Sequence, residues 1–277
     1  MSGFTLKSRS WVRKHPNPRR VIEFYGGEAI GVTPHLSYGA LFDYLYATEQ
    51  TVIAMPVPIG PNHEEIARVL LEERRLIRKW LGYDPEQMPY CMVGHSIGGQ
   101  MIALLASLTD IKTNTITIQD DQFKGLMGTP LLFMAPYIGD FDAPSWASWL
   151  VKALGLSFKP TMKDLIAMFE SEQAQLFAKA GLLSFAGDTV AGNVASCPEP
   201  IAPTCQMSIP WFHHFLKKHP CSEIPGDHFT PMGTLIGDRV YRLSLNDFSE
   251  PFPRKVDTEL VSLLDKLNPS GAAAPPN

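Results

Sequence analysis

The chain has 277 residues, a length typical of one large domain or two small ones. Hydrophobic residues make up 45% of it, which is enough for a sizeable core and argues against a disordered chain. The formal net charge of −4 argues against a nucleic-acid-binding protein, which would normally carry a basic excess.

The apolar runs, the N-terminal sequence and the cysteine pattern indicate a cellular compartment. No apolar run reaches the roughly 18 residues that a membrane span needs, and no secretory hydrophobic segment follows the N-terminus. The basic N-terminus could suggest a transit peptide, but Trp11 and Val12 followed by "HPNPRR" fit a strand and turn better. The cysteines at 91, 197, 205 and 221 are widely spaced, which favours a reducing compartment over a disulfide framework. We therefore expect a cytoplasmic protein.

Short apolar segments alternate with longer helical patterns along the chain. Six segments are nearly continuous in apolar residues, as strands covered on both faces are. They are "VIEFY" (21–25), "TVIAM" (51–55), "PYCMV" (89–93), "PLLFM" (130–134), "LLSFA" (182–186) and "CSEI" (221–224). The alternation predicts an α/β fold in which helices flank a mostly parallel central sheet.

The helical patterns lie between these strands. The clearest starts at Asn62, a plausible N-cap with Glu65 three residues later, and ends at Gly82. Others follow Ser96 through "QMIALLASL" and cover 257–267. Residues 139–181 have helical character and no strand signal, so we expect a helical insertion in a single domain over 1–267. The low-complexity tail 268–277 is predicted to be disordered.

A serine stands in the motif Gly94-His95-Ser96-Ile97-Gly98. Chance alone supplies about 0.1 such glycine-flanked serines in a chain of this size. The context is more specific, because a nucleophile elbow needs a strand, a tight turn and a helix. "PYCMV", "GHSIG" and "GQMIALLASL" supply these in order. We predict that Ser96 is a nucleophile rather than a serine in an ordinary glycine-rich turn.

A serine hydroxyl needs a base to take its proton, and in this class of fold the order is serine, acid, histidine. His228 follows the last short strand in "EIPGDHFTP" and is the predicted base. His95 lies inside the elbow and is expected to be a supporting residue that points away from Ser96. The other histidines fit turns, helix faces or positions before the serine; they are His15, His35, His63, His213, His214 and His219.

The acid should lie on a loop just after a strand, where it can orient the imidazole. Asp188 in "LLSFAGDTV" meets this condition and precedes His228. Asp140 and Asp142 follow the preceding strand and stay open as alternatives. Three further aspartates fit less well, because they look solvated or adjoin the base; they are Asp120, Asp121 and Asp227.

An acyl-transfer site also needs amide donors for the developing oxyanion. The N–H of Ile97, directly after the nucleophile, is one predicted donor. The loop after the first strand, in "VIEFYGGEAIG", is the expected source of the other, with Gly27 and Glu28 as its predicted donors. A plain turn at the end of that strand is the alternative.

Several stretches together match one family. They are "WVRKHPNPRRVIEFYGGEAIGVTPHLSYGALFDYL", "VGHSIGGQ", "LLSFAGDTVAG" and "IPGDHFTP", which touch most of residues 11–231. On these stretches the chain resembles an uncharacterised α/β-hydrolase-like family known mainly from oxygenic phototrophs. The resemblance implies an α/β-hydrolase fold and carries the catalytic triad onto Ser96, Asp188 and His228. It also makes a plastid or stromal location conceivable, but it implies no substrate.

These features favour a serine hydrolase that cleaves an ester or thioester through an acyl-enzyme. Residues 139–181 would form a lid whose Trp146, Trp149 and Leu150 contact a lipophilic acyl group, although these side chains could equally be lid core. The alternatives are a non-catalytic ligand-binding protein on the same scaffold and an acyltransferase that uses the same triad.

We expect no metal and no cofactor, because the chain has no CxxC pair, no HExxH and no glycine-rich phosphate-binding motif. The expected partner is a small-molecule ester, with no nucleic acid involved. The sequence carries no signal for an oligomeric state.

Overall fold

The computed structural model describes residues 3–27, 33–57, 62–84, 87–138, 159–242 and 249–268. Within these ranges the strands are β1 (Thr5–Lys7), β2 (Ser10–Arg13), β3 (Arg20–Tyr25), β4 (Gln50–Met55), β5 (Tyr90–His95), β6 (Thr115–Ile118), β7 (Asp121–Lys124), β8 (Leu131–Met134), β9 (Ala180–Phe185), β10 (Cys221–Ile224), β11 (Thr234–Ile236), β12 (Arg239–Tyr241) and β13 (Ser249–Pro251). The α-helices are α1 (Pro34–Ser37), α2 (Gly39–Ala47), α3 (His63–Leu81), α4 (Ile97–Ser107), α5 (Met162–Phe169), α6 (Ser208–Leu216) and α7 (Lys255–Leu267). Short 3₁₀ helices cover Glu172–Phe177 and Val194–Ser196.

An eight-stranded sheet forms the centre of the fold, in the order β1-β2-β4-β3-β5-β8-β9-β10. The six strands from β3 to β10 in this sheet run parallel, and β1 and β2 add an antiparallel edge. These six parallel strands are the six predicted from apolar runs, so the mostly parallel sheet is confirmed. The carboxyl ends of β3, β5, β9 and β10 therefore meet at one edge of the sheet, where ligands bind in open α/β sheets.

The core has two layers, one on each face of the sheet. Alternate residues of each buried strand enter different layers, as the two-residue period of a strand requires. On β3, Val21 and Tyr25 pack with α3, α4 and α6, whereas Ile22 and Phe24 pack with α2 and α7. This double coverage explains why the central strands read as continuous apolar runs.

The helix α3 begins and ends where its sequence predicts. The side chain of Asn62 accepts a hydrogen bond from the N–H of Glu65 at 3.2 Å, which satisfies one free amide of the first turn. Gly82 adopts a left-handed conformation, with φ 67°, directly after the last turn. These local signals confirm the predicted helix.

An ion cluster ties α3 to the sheet. The carboxylate of Glu23 on β3 accepts hydrogen bonds from Arg74 Nε at 3.0 Å and Arg78 Nε at 2.6 Å. Burial raises the pKa of Glu23, but the two guanidinium groups outweigh it, so the pKa lies below its ordinary value. The carboxylate is therefore held charged inside the fold, two residues before β3 ends at the site.

Several elements were not expected from the sequence. They are the edge strand β1, the hairpin β6–β7, the helices α1 and α2, and the small antiparallel sheet β11-β12-β13. The strands among them are three or four residues long and half-exposed, so they carry no continuous apolar run.

The cysteines also depart from expectation. Cys197 and Cys205 form a disulfide across eight residues of chain, with Cα atoms 6.3 Å apart, whereas Cys91 and Cys221 are free. The sequence favoured a reducing compartment over a disulfide framework, and this one disulfide departs from that expectation. The loop between Asp188 and α6 folds back on itself, which brings the two thiols together.

The described end of the predicted insertion packs against the body of the protein. The apolar side chains of α5 and the following 3₁₀ helix join the core layer of α3, α4 and α6. They include Leu165, Leu176 and Phe177, each at most 2% exposed. Residues 139–158, the other part of the predicted lid, lie outside the described residues. Among the helices that are described, none has the length and apolar character to cross a membrane.

Candidate active site

Ser96 stands on a sharp turn between β5 and α4. Its backbone has φ 55° and ψ −124°, a conformation that a residue other than glycine adopts only at a cost of about 1–3 kcal/mol. The surroundings hold this turn in place: the Ser96 N–H donates to Met134 O at 3.2 Å, and Ser96 O accepts from the N–H groups of Gly99 and Tyr137. The strand, turn and helix lie in the order that the motif predicts.

The glycines around Ser96 are required by close backbone packing. A Cβ on Gly94 would lie 2.5 Å from Gly98 O, and one on Gly98 would collide with the main-chain oxygen of Tyr25. A Cβ on Gly99 would lie 2.8 Å from Pro136 Cβ. The glycine-flanked motif therefore lets α4 start directly against the end of β3.

His228 lies on the loop that follows β10, and its imidazole reaches Ser96. The distance from His228 Nε2 to Ser96 Oγ is 2.8 Å, within the reach of a general base. A local turn shapes the loop: the N–H of Asp227 donates to Thr230 Oγ1, and the N–H of Thr230 donates to Asp227 O. Arg254 clamps the next part through hydrogen bonds to the main-chain oxygens of residues 230–232.

Asp188 lies on the turn after β9 and contacts the far side of the same imidazole. Its Oδ2 is 2.8 Å from His228 Nδ1, and the pair is almost completely buried. Its Oδ1 accepts hydrogen bonds from the N–H groups of Val190 and Ala191 at 2.7 and 2.9 Å. The two oxygens are thus assigned: one holds the turn and the other faces His228.

The structure therefore brings Ser96, His228 and Asp188 into one hydrogen-bonded chain. Because carboxylate oxygens can only accept, His228 Nδ1 carries a proton toward Asp188. In the neutral imidazole Nε2 is then the acceptor and can take the proton of Ser96 Oγ. The arrangement can deprotonate a serine hydroxyl at the carboxyl edge of the sheet.

The predicted oxyanion donors differ in availability. The N–H of Ile97 lies in the first turn of α4, where no intrahelical acceptor exists. The N–H of Gly27, by contrast, donates to the hydroxyl of Tyr38 at 2.9 Å and is already engaged. Glu28 lies outside the described residues, so its role as a donor stays a prediction. A Cβ added to Gly27 would make a tight contact of 3.2 Å with Ser96 Cβ.

The remaining site predictions have separate outcomes. Trp146, Trp149 and Leu150, predicted to bind substrate, and the alternative acids Asp140 and Asp142 lie outside the described residues. Asp227 points away from the imidazole and pairs with Arg242 at 3.2 Å. Asp120 and Asp121 are exposed, as expected.

His95 is buried and hydrogen-bonded, as expected of a supporting residue. The sequence reasoning missed Tyr38 and Arg254, which contact the loops of the site. Neither lies in a catalytic motif; the signal that was available for Tyr38 was its place in the "HLSYGALFDYL" stretch of the resemblance.

Comparison with known proteins gave one family match. Residues 6–132 match the family described as "Protein of unknown function (DUF1350)". The matched stretch includes Gly27 and Ser96 but ends before Asp188 and His228. The search of curated proteins found no match.

Two solved structures with a similar fold carry the names of an esterase and a serine hydrolase. Esterase B from Lactobacillus rhamnosis, in a structure with a tributyrin phosphonate, has a TM-score of 0.52 at 10% identity, over 95% of this chain and 80% of its own. The fluorophosphonate-binding serine hydrolase FphF from Staphylococcus aureus has a TM-score of 0.50 at 13% identity, over 80% of this chain and 86% of its own. At these identities the likeness shows the fold, which is the α/β-hydrolase fold that the resemblance implies.

Proposed function

We propose that this protein is a serine hydrolase that cleaves a carboxylic ester or thioester through an acyl-enzyme. The observation that carries the proposal is the chain of two 2.8 Å contacts that joins Ser96 Oγ, His228 and Asp188 in a buried site. The three residues come from separate loops at the carboxyl edge of one sheet. The α/β-hydrolase fold of the chain supports the same reading by analogy.

The proposed mechanism uses these contacts. His228 Nε2 takes the proton of Ser96 as Oγ attacks the substrate carbonyl, and Asp188 stabilises the imidazolium that forms. The Ile97 N–H, at the N-terminus of α4, donates to the oxyanion of the tetrahedral intermediate. His228 then gives its proton to the leaving alcohol or thiol. A water molecule, deprotonated by the same imidazole, releases the acyl group and regenerates Ser96.

The substrate assignment rests on the sequence. Residues 139–158 include Trp146, Trp149 and Leu150 and follow β8, which ends at the same edge of the sheet as Ser96. We therefore propose that this part of the insertion covers the site and favours a lipophilic acyl group.

Cytoplasm or plastid stroma stays the predicted compartment, although the Cys197–Cys205 disulfide is unusual for a reducing compartment.

A fluorophosphonate probe tests the proposal, because it forms a covalent bond with an activated serine. We expect labelling of the wild-type protein and none of Ser96→Ala, with Ser107→Ala, a serine at the far end of α4, as the matched control that keeps labelling. Labelling that persists in Ser96→Ala, or a folded wild-type protein that is never labelled, would refute the proposed function.

Nitrophenyl esters of increasing chain length test the acyl preference. We expect kcat/KM to rise from acetate to longer acyl chains, since each buried methylene contributes about 0.8 kcal/mol. Transfer of the acyl group to an added alcohol, measured against hydrolysis, separates a hydrolase from an acyltransferase.

A further inference from the structure

Two buried side chains outside the triad link three loops of the site. Tyr38 Oη lies 2.7 Å from His95 Nδ1, and His95 Nε2 lies 2.9 Å from the main-chain oxygen of His228. Tyr38 Oη also receives the N–H of Gly27 at 2.9 Å. The loop after β3, the start of α2, the elbow and the His228 loop are thus joined by three consecutive hydrogen bonds.

The direction of each hydrogen bond follows from the atoms involved. The main-chain oxygen of His228 can only accept, so His95 Nε2 carries a proton. Burial and the nearby His228 hold the pKa of His95 well below its ordinary value of 6.5, which keeps the ring neutral. In a neutral ring with its proton on Nε2, Nδ1 is an acceptor. The hydroxyl of Tyr38 must then donate to Nδ1, and its lone pair accepts the Gly27 N–H.

Neither side chain can contact a substrate. Tyr38 is 0% exposed and His95 is 2% exposed. The His95 ring lies next to that of His228, with ring centroids 5.1 Å apart and the ring planes tilted by 38°. His95 directly precedes Ser96 in the chain. Its side chain therefore connects the serine turn to the main chain of His228, the proposed base.

We propose that Tyr38 and His95 are positioning residues that hold the His228 imidazole and the Gly27 loop in register with Ser96. The proposal rests on the proposed hydrolase function. The His228 side chain is held at Nδ1 by Asp188 and its backbone is held by His95, so the imidazole is fixed from two sides. The same chain engages the Gly27 N–H, which donates to Tyr38 Oη.

Tyr38→Phe removes the central hydroxyl and keeps the ring. We expect kcat for a nitrophenyl ester to fall about 10- to 100-fold, because small misplacements of catalytic groups have effects of this size. KM should stay within about twofold, since the removed hydroxyl touches no substrate. Tyr25→Phe is the matched control: Tyr25 is equally buried, and its hydroxyl has no partner among the described residues. Its kcat should be that of the wild type.

Substitutions of His95 separate the two ends of the chain. Gln can place an amide N–H near the position of Nε2 and so keep the bond to His228 O. Leu offers neither a donor nor an acceptor. We expect His95→Leu to lose more kcat than His95→Gln, at similar KM, because only Gln restrains the base. Equal losses in the two variants, or wild-type kcat in both Tyr38→Phe and His95→Leu, would overturn the positioning role.

A measurement without substrate separates this proposal from the proposed function. ¹⁵N NMR of the imidazoles at pH 7.5 should show His95 neutral with its proton on Nε2, and Tyr38→Phe should shift the Nδ1 resonance. A proton on Nδ1, or on both nitrogens, would overturn the hydrogen-bond chain. If the tautomer is as expected but wild-type protein is never labelled by fluorophosphonate, the proposed function fails and the contact is only structural.

Discussion

Replacing Asp188 with Asn should disable the site while leaving its shape intact. Asp188 Oδ1 accepts two main-chain hydrogen bonds, from Val190 and Ala191, at 2.7 and 2.9 Å. An Asn side chain would keep its carbonyl oxygen there, because an NH₂ group cannot accept those bonds. Its NH₂ would then face His228 Nδ1. Two donors cannot share that contact, so the His228 proton should move to Nε2, where it blocks deprotonation of Ser96.

The size of this effect follows from the same contacts. Loss of the correct imidazole tautomer in a Ser-His-Asp site lowers kcat by about 10⁴-fold, which corresponds to ~5.4 kcal/mol in the activation free energy. Stability should change much less, by less than about 2 kcal/mol, because the two main-chain bonds of the turn survive. Ester hydrolysis measures kcat, fluorophosphonate labelling rates measure the reactivity of Ser96, and thermal unfolding measures stability.

Asp227→Asn is the control for Asp188→Asn. Asp227 adjoins His228 in the chain, but its carboxylate faces Arg242. Its replacement should change kcat by no more than about twofold. An Asp188→Asn enzyme that keeps a tenth or more of wild-type kcat would show that Asp188 does not set the tautomer of His228. A comparable loss of kcat in Asp227→Asn would show that the loss does not depend on the contact between Asp188 and His228.

Three other predictions concern the surroundings of the site. Gly98→Ala should give no protein that unfolds cooperatively on heating, since the new Cβ would collide with the main-chain oxygen of Tyr25. Gly39→Ala, where a Cβ would meet no atom closer than 3.8 Å, should unfold near the wild-type temperature. In urea titrations, Glu23→Gln should lower the free energy of unfolding by about 3–5 kcal/mol, because it breaks a buried ion cluster. Glu65→Gln, in an exposed pair with an arginine, should leave it almost unchanged. Below pH 6.5, His95 takes up a proton in the unfolded state but stays neutral in the folded protein, where its pKa is lowered. The free energy of unfolding should therefore fall with pH by up to about 1.4 kcal/mol per pH unit. His95→Gln should remove this pH dependence.

Each of these has an outcome that contradicts it. A Gly98→Ala protein with wild-type melting would mean that α4 does not approach β3 as closely as described. Equal losses in Glu23→Gln and Glu65→Gln would show that burial of the first pair is incomplete. Parallel stability curves for wild type and His95→Gln between pH 7.5 and 5.5 would mean that His95 titrates normally in the folded protein.

Local patterns account for what the sequence predicted correctly. The parallel strands are buried on both faces, so their residues form continuous apolar runs that can be read without a partner. The ends of α3 are set by Asn62 and Gly82 through contacts within a few residues. The elbow at Ser96 can be recognised locally, because its strand, turn and helix follow one another in the chain, although Gly98 and Gly99 make room for Tyr25 and Pro136 from elsewhere in the fold.

The features that the sequence did not predict, the small antiparallel sheet and the disulfide, depend on contacts between distant parts of a loop or sheet. The half-exposed strands of the small sheet have too few buried positions for a period to show. The pairing of Cys197 with Cys205 depends on how the loop after Asp188 folds back. The distance between two thiols is not encoded in their spacing.

The sequence by itself determined the parallel sheet, the place of Ser96 at its carboxyl edge, and the order in which a serine, an acid and a histidine follow one another. Only the tertiary structure decided that Asp188 contacts His228, and that Gly27 gives its amide to Tyr38 rather than to the site. The reason is that strands and turns can be recognised from the residue types of a short segment, whereas the partners of the His228 loop lie 40 and 133 residues away. Such contacts exist only after the sheet has brought its carboxyl ends together.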